Sequence, residues 1–232
     1  MTISEVSETP EMVERILEHA LRESDYPDSF FMLGRQWDLY RDVFPPTMTA
    51  ATEVMASIVP YPPGGRFLEM GSGAGVIAVT AALAGCESVT ALDINGRAVA
   101  NTRANARRHG VAGRVRTMQS DLFEVLDPTD RFDAIFWNIP WTYVQESFEL
   151  RTALHVAVFD PGYRGHANYI ADAWSHLTAT GRLFIGTADL GDRALLCSLA
   201  AGAGMRISLV ERVRRVEVHR VMEYDLIELH RL

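Results

Sequence analysis

The spacing of apolar residues changes near Arg66. From there onward, short apolar runs alternate with longer segments in which apolar residues recur every three or four positions. The short runs, typical of buried strands, include RFLEM, SVTALDI, FDAIFWN and GRLFIGT. This alternation predicts an α/β fold with a doubly wound, seven-stranded, mostly parallel sheet. The last two runs, RISLVERVRRV and VMEYDLIELHRL, predict an antiparallel C-terminal hairpin.

The residues before this pattern predict a separate helical extension. Apolar spacing predicts one helix from Thr9 to about Arg22 and a second from Thr49 to Val59. The aromatic-rich stretch between them, residues 24–46, is interpreted as an irregular lid rather than a linker. We therefore predict a short helical N-terminal lid at residues 1–60, which caps the substrate, and a ligand-binding domain at residues 61–232.

Composition and charge restrict the cellular compartment and the kinds of partner that we expect. The 232 residues carry a net charge of −8, which opposes binding to long nucleic acid and makes it an unlikely partner. No apolar run is long enough to cross a membrane. Cys86 and Cys197 lie in unrelated contexts, so we expect two buried thiols, no metal site and a reducing, cytoplasmic location. The oligomeric state is left open.

A glycine-rich loop follows the first predicted strand. In Glu69-Met70-Gly71-Ser72-Gly73-Ala74-Gly75, alternate glycines let the backbone turn tightly and approach a ligand closely. A tight turn without a ligand, or a nicotinamide site, would use a similar loop.

Acidic residues end the next two predicted strands. Asp93, followed by Ile94, can accept hydrogen bonds from ribose hydroxyls. Asp121 can accept from an adenine amine while Leu122 or Phe123 covers the ring, although Asp121 could instead cap a helix.

The fourth strand ends in Asn138-Ile139-Pro140-Trp141. The Asn138 side-chain oxygen and a backbone carbonyl of Ile139 or Pro140 can accept two N–H bonds and so orient a nitrogen nucleophile. Trp141 offers an aromatic face to a planar group or a cation. The alternative is that Asn138 caps a turn and Trp141 belongs to the core.

Together these motifs resemble those of the class I S-adenosylmethionine-dependent methyltransferases, a Rossmann-like superfamily. The resemblance covers about Arg66 to Thr187 and implies S-adenosyl-L-methionine as cofactor. It implies that the glycine loop approaches the methionine part, Asp93 the ribose and Asp121 the adenine. Glu69 favours this family because an acid would repel a dinucleotide pyrophosphate. The implied cofactor-binding residues are Glu69, Gly71, Gly73, Gly75, Asp93, Ile94, Asp121, Leu122 and Asn138.

The fourth-strand motif resembles that of the release-factor glutamine methyltransferases and their small-molecule relatives. The resemblance implies transfer of a methyl group to nitrogen, with Asn138, Pro140, Trp141 and Tyr163 as catalytic candidates. Because that family's long N-terminal bundle is largely missing, we expect a small-molecule substrate, in specialised metabolism. The alternatives are a cyclase that forms azetidine-2-carboxylate and methylthioadenosine from the same cofactor, and a non-catalytic cofactor-binding subunit.

Two groups of polar residues are interpreted as structural. His155 and His166 have no paired carboxylate in sequence reach, so we expect solvated histidines. The arginines of the last hairpin alternate with valines and predict a solvated sheet face: Arg212, Arg214, Arg215 and Arg220.

Overall fold

The computed structural model describes residues 26–217 and 220–232. The helix predicted to end near Arg22 lies outside these residues. The strands are β1 (Ser29–Met32), β2 (Arg35–Asp38), β3 (Arg66–Met70), β4 (Ser88–Asp93), β5 (Val115–Gln119), β6 (Phe132–Asn138), β7 (Thr142–Val144), β8 (Phe159–Pro161), β9 (Leu177–Ala188), β10 (Met205–Glu217) and β11 (Arg220–Arg231). The helices are α1 (Ala51–Ile58), α2 (Val76–Leu83), α3 (Gly96–Arg108), α4 (Ala153–Val158), α5 (Arg164–Ala173) and α6 (Arg193–Gly202).

Seven strands form one mixed sheet in the order β10-β11-β9-β6-β3-β4-β5. The strands β3, β4, β5, β6 and β9 are parallel, and β10 and β11 close the sheet as an antiparallel hairpin. This confirms the predicted fold class. The chain fills the sheet outward from β3 to β5 and then returns to place β6 on the other side of β3. The carboxyl ends of β3 and β6 therefore border the crevice where ligands bind in such sheets.

Alternating side chains divide the core between the two faces of the sheet. On one face, Phe67 and Val89 pack with Ala78 of α2. On the other, Leu68 and Ile135 pack with α5 and α6. Strand residues buried on both faces explain the continuous apolar runs of the sequence.

The segment before α1 contains a β-hairpin where the sequence suggested irregular structure. Strands β1 and β2 pair in the register Phe30↔Trp37. The Trp37 side chain is completely buried, and its indole N–H donates to the Met32 carbonyl oxygen (2.9 Å). Cross-strand pairing thus satisfies the backbone of this aromatic-rich segment.

Two buried asparagines of α3 fasten the hairpin to the main sheet. Asn105 accepts from the Asp38 N–H (2.8 Å) and donates to the carbonyl oxygens of Asp38 (2.9 Å) and Ala74 (2.8 Å). Asn101 makes a similar pair of bonds, with the N–H of Tyr40 and the carbonyl oxygen of Asp38 (both 2.8 Å). These amides pair backbone groups that the hairpin would otherwise bury unsatisfied.

The structure also tests the expectations for the cysteines and for the arginines of the last hairpin. Cys86 is buried, as expected, and burial raises the pKa of its thiol to about 11, whereas Cys197 is exposed on α6, so that expectation was wrong. The hairpin arginines do lie on an outer surface, with Arg212, Arg214 and Arg220 in ion pairs. Within the described ranges, no helix has both the length and the apolar character needed to span a membrane.

We expect Asn105→Ala to lower the free energy of unfolding by about 1–3 kcal/mol, because it leaves buried backbone groups of Asp38 and Ala74 without partners. Asn168→Ala, which removes an exposed asparagine from α5, is the matched control and should change stability little. Urea denaturation measures both. Equal stability of the two variants would contradict this account of the α3 asparagines.

Candidate functional site at the carboxyl ends of the strands

The three glycines of the loop after β3 have positive φ angles of 65°, 53° and 83°, but their surroundings differ. A Cβ at Gly71 would lie 2.7 Å from the Trp137 indole nitrogen, and one at Gly75 would lie 2.8 Å from the Thr102 backbone. These two positions are glycine because neighbours pack against them. A Cβ at Gly73 would meet nothing within 4 Å, so Gly73 leaves open space in the crevice.

Glu69 lies beneath this loop. Its side chain is 3% exposed, and its Oε2 atom has no hydrogen-bond partner among the described residues. Burial raises the pKa of its carboxyl well above the ordinary value, and the nearby charge of Asp93 raises it further. A hydrogen bond from the backbone N–H of Ala78, in the first turn of α2, acts in the opposite direction and lowers the pKa. The structure thus places Glu69 as a buried acid between the loop and the start of α2.

Asp93 ends β4 with both carboxylate oxygens hydrogen-bonded. It accepts from the backbone N–H of Gly73 (2.8 Å) and of Asn95 (2.9 Å). Burial raises the pKa of its carboxyl, although these two N–H groups oppose the shift. The bond to Gly73 fixes the glycine loop relative to the end of the neighbouring strand.

An open cleft of about 350 Å³ lies between the ends of β4 and β5. Ile94 and Asp121 line it together with Gln119, Ser120, Glu124 and Val125. Leu122, half-buried, follows with a positive φ of 43°. Phe123 does not reach the cleft, because its ring stacks in the core on Tyr169 and His176.

Asn138, at the end of β6, has a side-chain oxygen that is buried and has no hydrogen-bond partner among the described residues. The backbone holds the residue in place, since Asn138 pairs with Gly186 of β9 and the Ile139 N–H donates to the Gly186 carbonyl oxygen (3.1 Å). A buried acceptor without a partner costs about 1–3 kcal/mol. Such a group is suited to accept an N–H from a bound ligand.

The two residues after Ile139 form a wall beside Asn138. Pro140 is buried, and Trp141 is half-buried with its ring edge-to-face on Tyr224 of β11 (centroids 6.2 Å apart). The structure therefore brings Asn138, Pro140 and Trp141 together at one corner. This corner lies next to the glycine loop, because β6 pairs with β3 and the loop follows β3.

Tyr163, a buried residue that is 1% exposed, contacts the Trp141 backbone at this corner. Its hydroxyl donates to the Trp141 carbonyl oxygen (2.5 Å) and accepts from the Asp192 N–H (2.9 Å). Burial raises the pKa of the hydroxyl to about 12. It stays protonated at neutral pH and ties Trp141 to the start of α6.

The expectation of solvated histidines was wrong. His166 is 1% exposed and its Nδ1 lies 2.6 Å from Asp160, while its ring stacks on Tyr163 at 3.8 Å. His155 is also buried. Burial opposes ionisation of Asp160, but hydrogen bonds from His166 and Gly165 hold the pKa of its carboxyl below the ordinary value. The pairing was missed because β8 had not been recognised as the strand that positions Asp160.

Trp137 is the site residue that the sequence analysis missed. Its indole packs on Gly71 and on Tyr169, and a Cβ at Gly165 would lie 3.3 Å from it. It thereby links the glycine loop to the start of α5. A signal was its position at the end of β6 directly before Asn138, where it pairs with Met70 just before the glycine loop.

A mostly parallel sheet with a glycine-rich loop after β3 and acidic residues after β4 and β5 is the arrangement typical of class I S-adenosylmethionine-dependent methyltransferases. The sequence matches the methyltransferase small domain family over residues 45–196, and the chain belongs to that family. Its cofactor is S-adenosylmethionine.

Two curated relatives and one solved structure illustrate the relationship. The chain is 44% identical over 78 residues to a release factor glutamine methyltransferase of Bordetella pertussis, covering 33% of this chain and 28% of the relative. It is 42% identical over 77 residues to a ribosomal protein L11 methyltransferase of Pelotomaculum thermopropionicum, covering 33% and 24%. The chain thus spans less than a third of the length of either relative.

The structure of a 16S rRNA N2 G1207 methyltransferase from T. thermophilus, in complex with AdoMet and guanosine, has a TM-score of 0.59 to this chain. The two are 19% identical, and the match covers 88% of this chain and 50% of that one, so the likeness concerns the fold.

These names overturn the expected partners. A small-molecule substrate, with nucleic acid unlikely, was the wrong expectation, since the curated relatives are named for a release factor and a ribosomal protein, and the structural neighbour for an rRNA. The inference had relied on the missing N-terminal bundle and on net charge, and neither reports on the site itself. The comparisons support a transferase and give the cyclase alternative no support.

The residues present fit S-adenosylmethionine. Gly73 leaves the crevice open, and the cleft beside Ile94 and Asp121 is large enough to receive an adenine ring. The Glu69 oxygen that has no partner among the described residues lies in β3, beside the point where the sheet reverses its order.

We expect Tyr163→Phe to lower the free energy of unfolding by about 1–3 kcal/mol, because the Trp141 carbonyl and the Asp192 N–H lose their shared partner. Tyr143→Phe is the matched control, since the Tyr143 ring lies edge-on against Tyr163 but the residue is 40% exposed. Thermal and urea unfolding measure the difference. A Tyr163→Phe protein as stable as the control would show that the hydroxyl does not hold this corner.

Proposed function

We propose that the protein transfers a methyl group from S-adenosylmethionine to the side-chain amide nitrogen of a glutamine in a protein. The observation that carries the proposal is the buried Asn138 oxygen, which has no partner among the described residues and lies at the end of β6. The relative named release factor glutamine methyltransferase supports this substrate, because it is 44% identical to this chain over the matched segment.

The acceptor chemistry explains why two hydrogen-bond acceptors are needed. A primary amide carries two N–H bonds, and Asn138 Oδ1 with a backbone carbonyl of Ile139 or Pro140 would hold both. The nitrogen is then oriented before reaction, and the gain is chiefly one of position. The face of Trp141 would stack on the planar amide, with Tyr163 and Tyr224 positioning Trp141 from two sides.

The cofactor supplies an electrophilic methyl group on a sulfonium when bound. We propose that Gly71, Gly73 and Gly75 shape the backbone around its methionine part and that Glu69 lies beneath it. Asp93 would accept from the ribose hydroxyls and Asp121 from the adenine amine, with Ile94 and Leu122 against the ring.

We also propose that residues 1–60 cap the catalytic domain of residues 61–232. Two contacts of the described part support this. The Asn95 side chain donates to the Asp42 carbonyl oxygen (2.6 Å), and Phe44 and Met48 pack on the small β7–β8 sheet. The segment from Asp42 to Met48 therefore runs between α3 and the β7–β8 insertion, beside the crevice.

The function is tested by incubating the enzyme with methyl-labelled cofactor in two separate reactions. One reaction contains total protein from the source cells and the other contains their total RNA, and each is analysed by mass spectrometry after digestion. We expect label on a glutamine of a proteolytic peptide. Label confined to nucleosides would contradict the substrate class, and methylthioadenosine formed from the cofactor alone would contradict methyl transfer.

Asn138→Ala should lower kcat by about 10²–10³-fold, because one preorganised polar contact to the reacting group is lost. The dissociation constant for S-adenosylhomocysteine should stay close to that of the wild type, and Asn168→Ala serves as the surface control. Single-turnover rates and calorimetry separate the two effects. Wild-type turnover in Asn138→Ala would exclude the proposed role.

Cofactor binding should weaken at acidic pH. Ionised Asp93 is the proposed ribose acceptor, and burial raises its pKa, so protonation removes the acceptor at a higher pH than for an exposed aspartate. Below that pKa the dissociation constant for S-adenosylhomocysteine should rise by up to about tenfold per pH unit. Asp93→Asn, measured by calorimetry over the same range, should remove this part of the dependence. An identical pH profile in both proteins would refute the assignment.

A further inference from the structure

Basic residues are concentrated in one stretch of this acidic chain. Residues 94–120 contain six arginines and one histidine but no aspartate or glutamate, although the whole chain has a net charge of −8. This stretch covers α3, the following loop and β5, which is the edge strand of the sheet. The charge is therefore local and of the opposite sign to that of the chain as a whole.

The structure places these arginines on an outer surface. The buried positions of α3 point to the sheet, so Arg97, Arg103 and Arg107 share its exposed side. Arg114 and Arg116 are exposed at the start of β5, and Arg103 joins the two elements by donating to the Thr117 hydroxyl (3.1 Å). We call these five residues, Arg97, Arg103, Arg107, Arg114 and Arg116, the basic face.

Carboxylates do not neutralise the basic face. Arg108 pairs with Asp38, whereas none of the five has a carboxylate within 4 Å in the described part of the chain. By contrast, the last hairpin pairs Arg212, Arg214 and Arg220 with acids. Within the described ranges, the basic face is thus a group of five neighbouring arginines without a carboxylate partner.

We infer that the basic face binds the phosphate backbone of RNA. Arginine binds phosphate through two parallel N–H bonds, and nucleic-acid interfaces are polar and strongly positive. An acidic protein partner would need apolar anchors at the core of its interface. The exposed large apolar side chains next to this stretch, Ile94 and Val125, line the cleft assigned to the adenine, and none lies among the five arginines. Distant acids do not prevent this binding, because charge interactions are screened beyond about 10 Å.

The position of the basic face relates it to the active crevice. Ile94 and Gln119, at the two ends of the stretch, line the cleft assigned to the adenine. RNA on the basic face would thus lie beside the cofactor site and bring an RNA-associated substrate to it. The inference goes beyond the proposed function and does not depend on glutamine as the acceptor.

The test uses fluorescence anisotropy with a labelled 20-nucleotide RNA hairpin and the full chain at 50 and 150 mM salt. We compare Arg107→Glu/Arg114→Glu with the equally charged control Arg206→Glu/Arg215→Glu, whose residues are exposed on β10. The first variant should bind at least about tenfold more weakly and reduce the salt slope by about 2. The control should keep wild-type affinity, and all three proteins should bind S-adenosylhomocysteine equally, which verifies the fold.

Three results would overturn the inference: no RNA binding by the wild type, equal weakening by both double variants, or displacement of the RNA by poly-glutamate at an equal concentration of charge. The last would assign the basic face to acidic proteins instead. Because the assay involves no methyl transfer, failure of the glutamine proposal would leave its result unaffected.

Discussion

The close approach of β3 and β6 governs the site. Met70 is paired with Trp137, so the residues that follow, Gly71 and Asn138, emerge side by side. The Trp137 indole packs where a side chain at Gly71 would stand, which fixes the glycine loop against the neighbouring strand. Parallel pairing therefore joins the cofactor loop to the proposed acceptor corner, and changes at Gly71 or Trp137 affect both.

Around that junction the protein leaves polar groups unsatisfied. Glu69 and Asn138 each bury an oxygen without a hydrogen-bond partner among the described residues. Such groups reduce stability and are uncommon in folded proteins. Their surroundings are otherwise well paired, with Asp93 bonded to Gly73 and Tyr163 bonded to Trp141. Among the described residues, the third such atom is His109 Nε2 at the end of α3, whereas the oxygens of Glu69 and Asn138 lie at the crevice, where a bound cofactor and substrate would complete them.

Net charge and local charge gave opposite indications about partners. The net charge of −8 sums charges over the whole chain. A bound partner, by contrast, interacts mainly with the charged groups that lie within about 10 Å of the partner, because salt screens the more distant charges. Segregation of the arginines onto α3 and β5 was visible in the sequence as an acid-free stretch. That five of them have no carboxylate partner among the described residues was not visible, because the C-terminal hairpin has as many arginines and pairs half of them with acids.

The sequence by itself determined the sheet, its helices and the loop motifs, because strand and helix periods and glycine spacing are local properties of the chain. The bounds of β6 matched the run FDAIFWN residue for residue. The tertiary structure alone decided the pairing of His166 with Asp160, the support of Trp141 by Tyr163, and the hairpin at Trp37. These depend on contacts between segments distant in the chain or on cross-strand register, and neither has a local periodic signature.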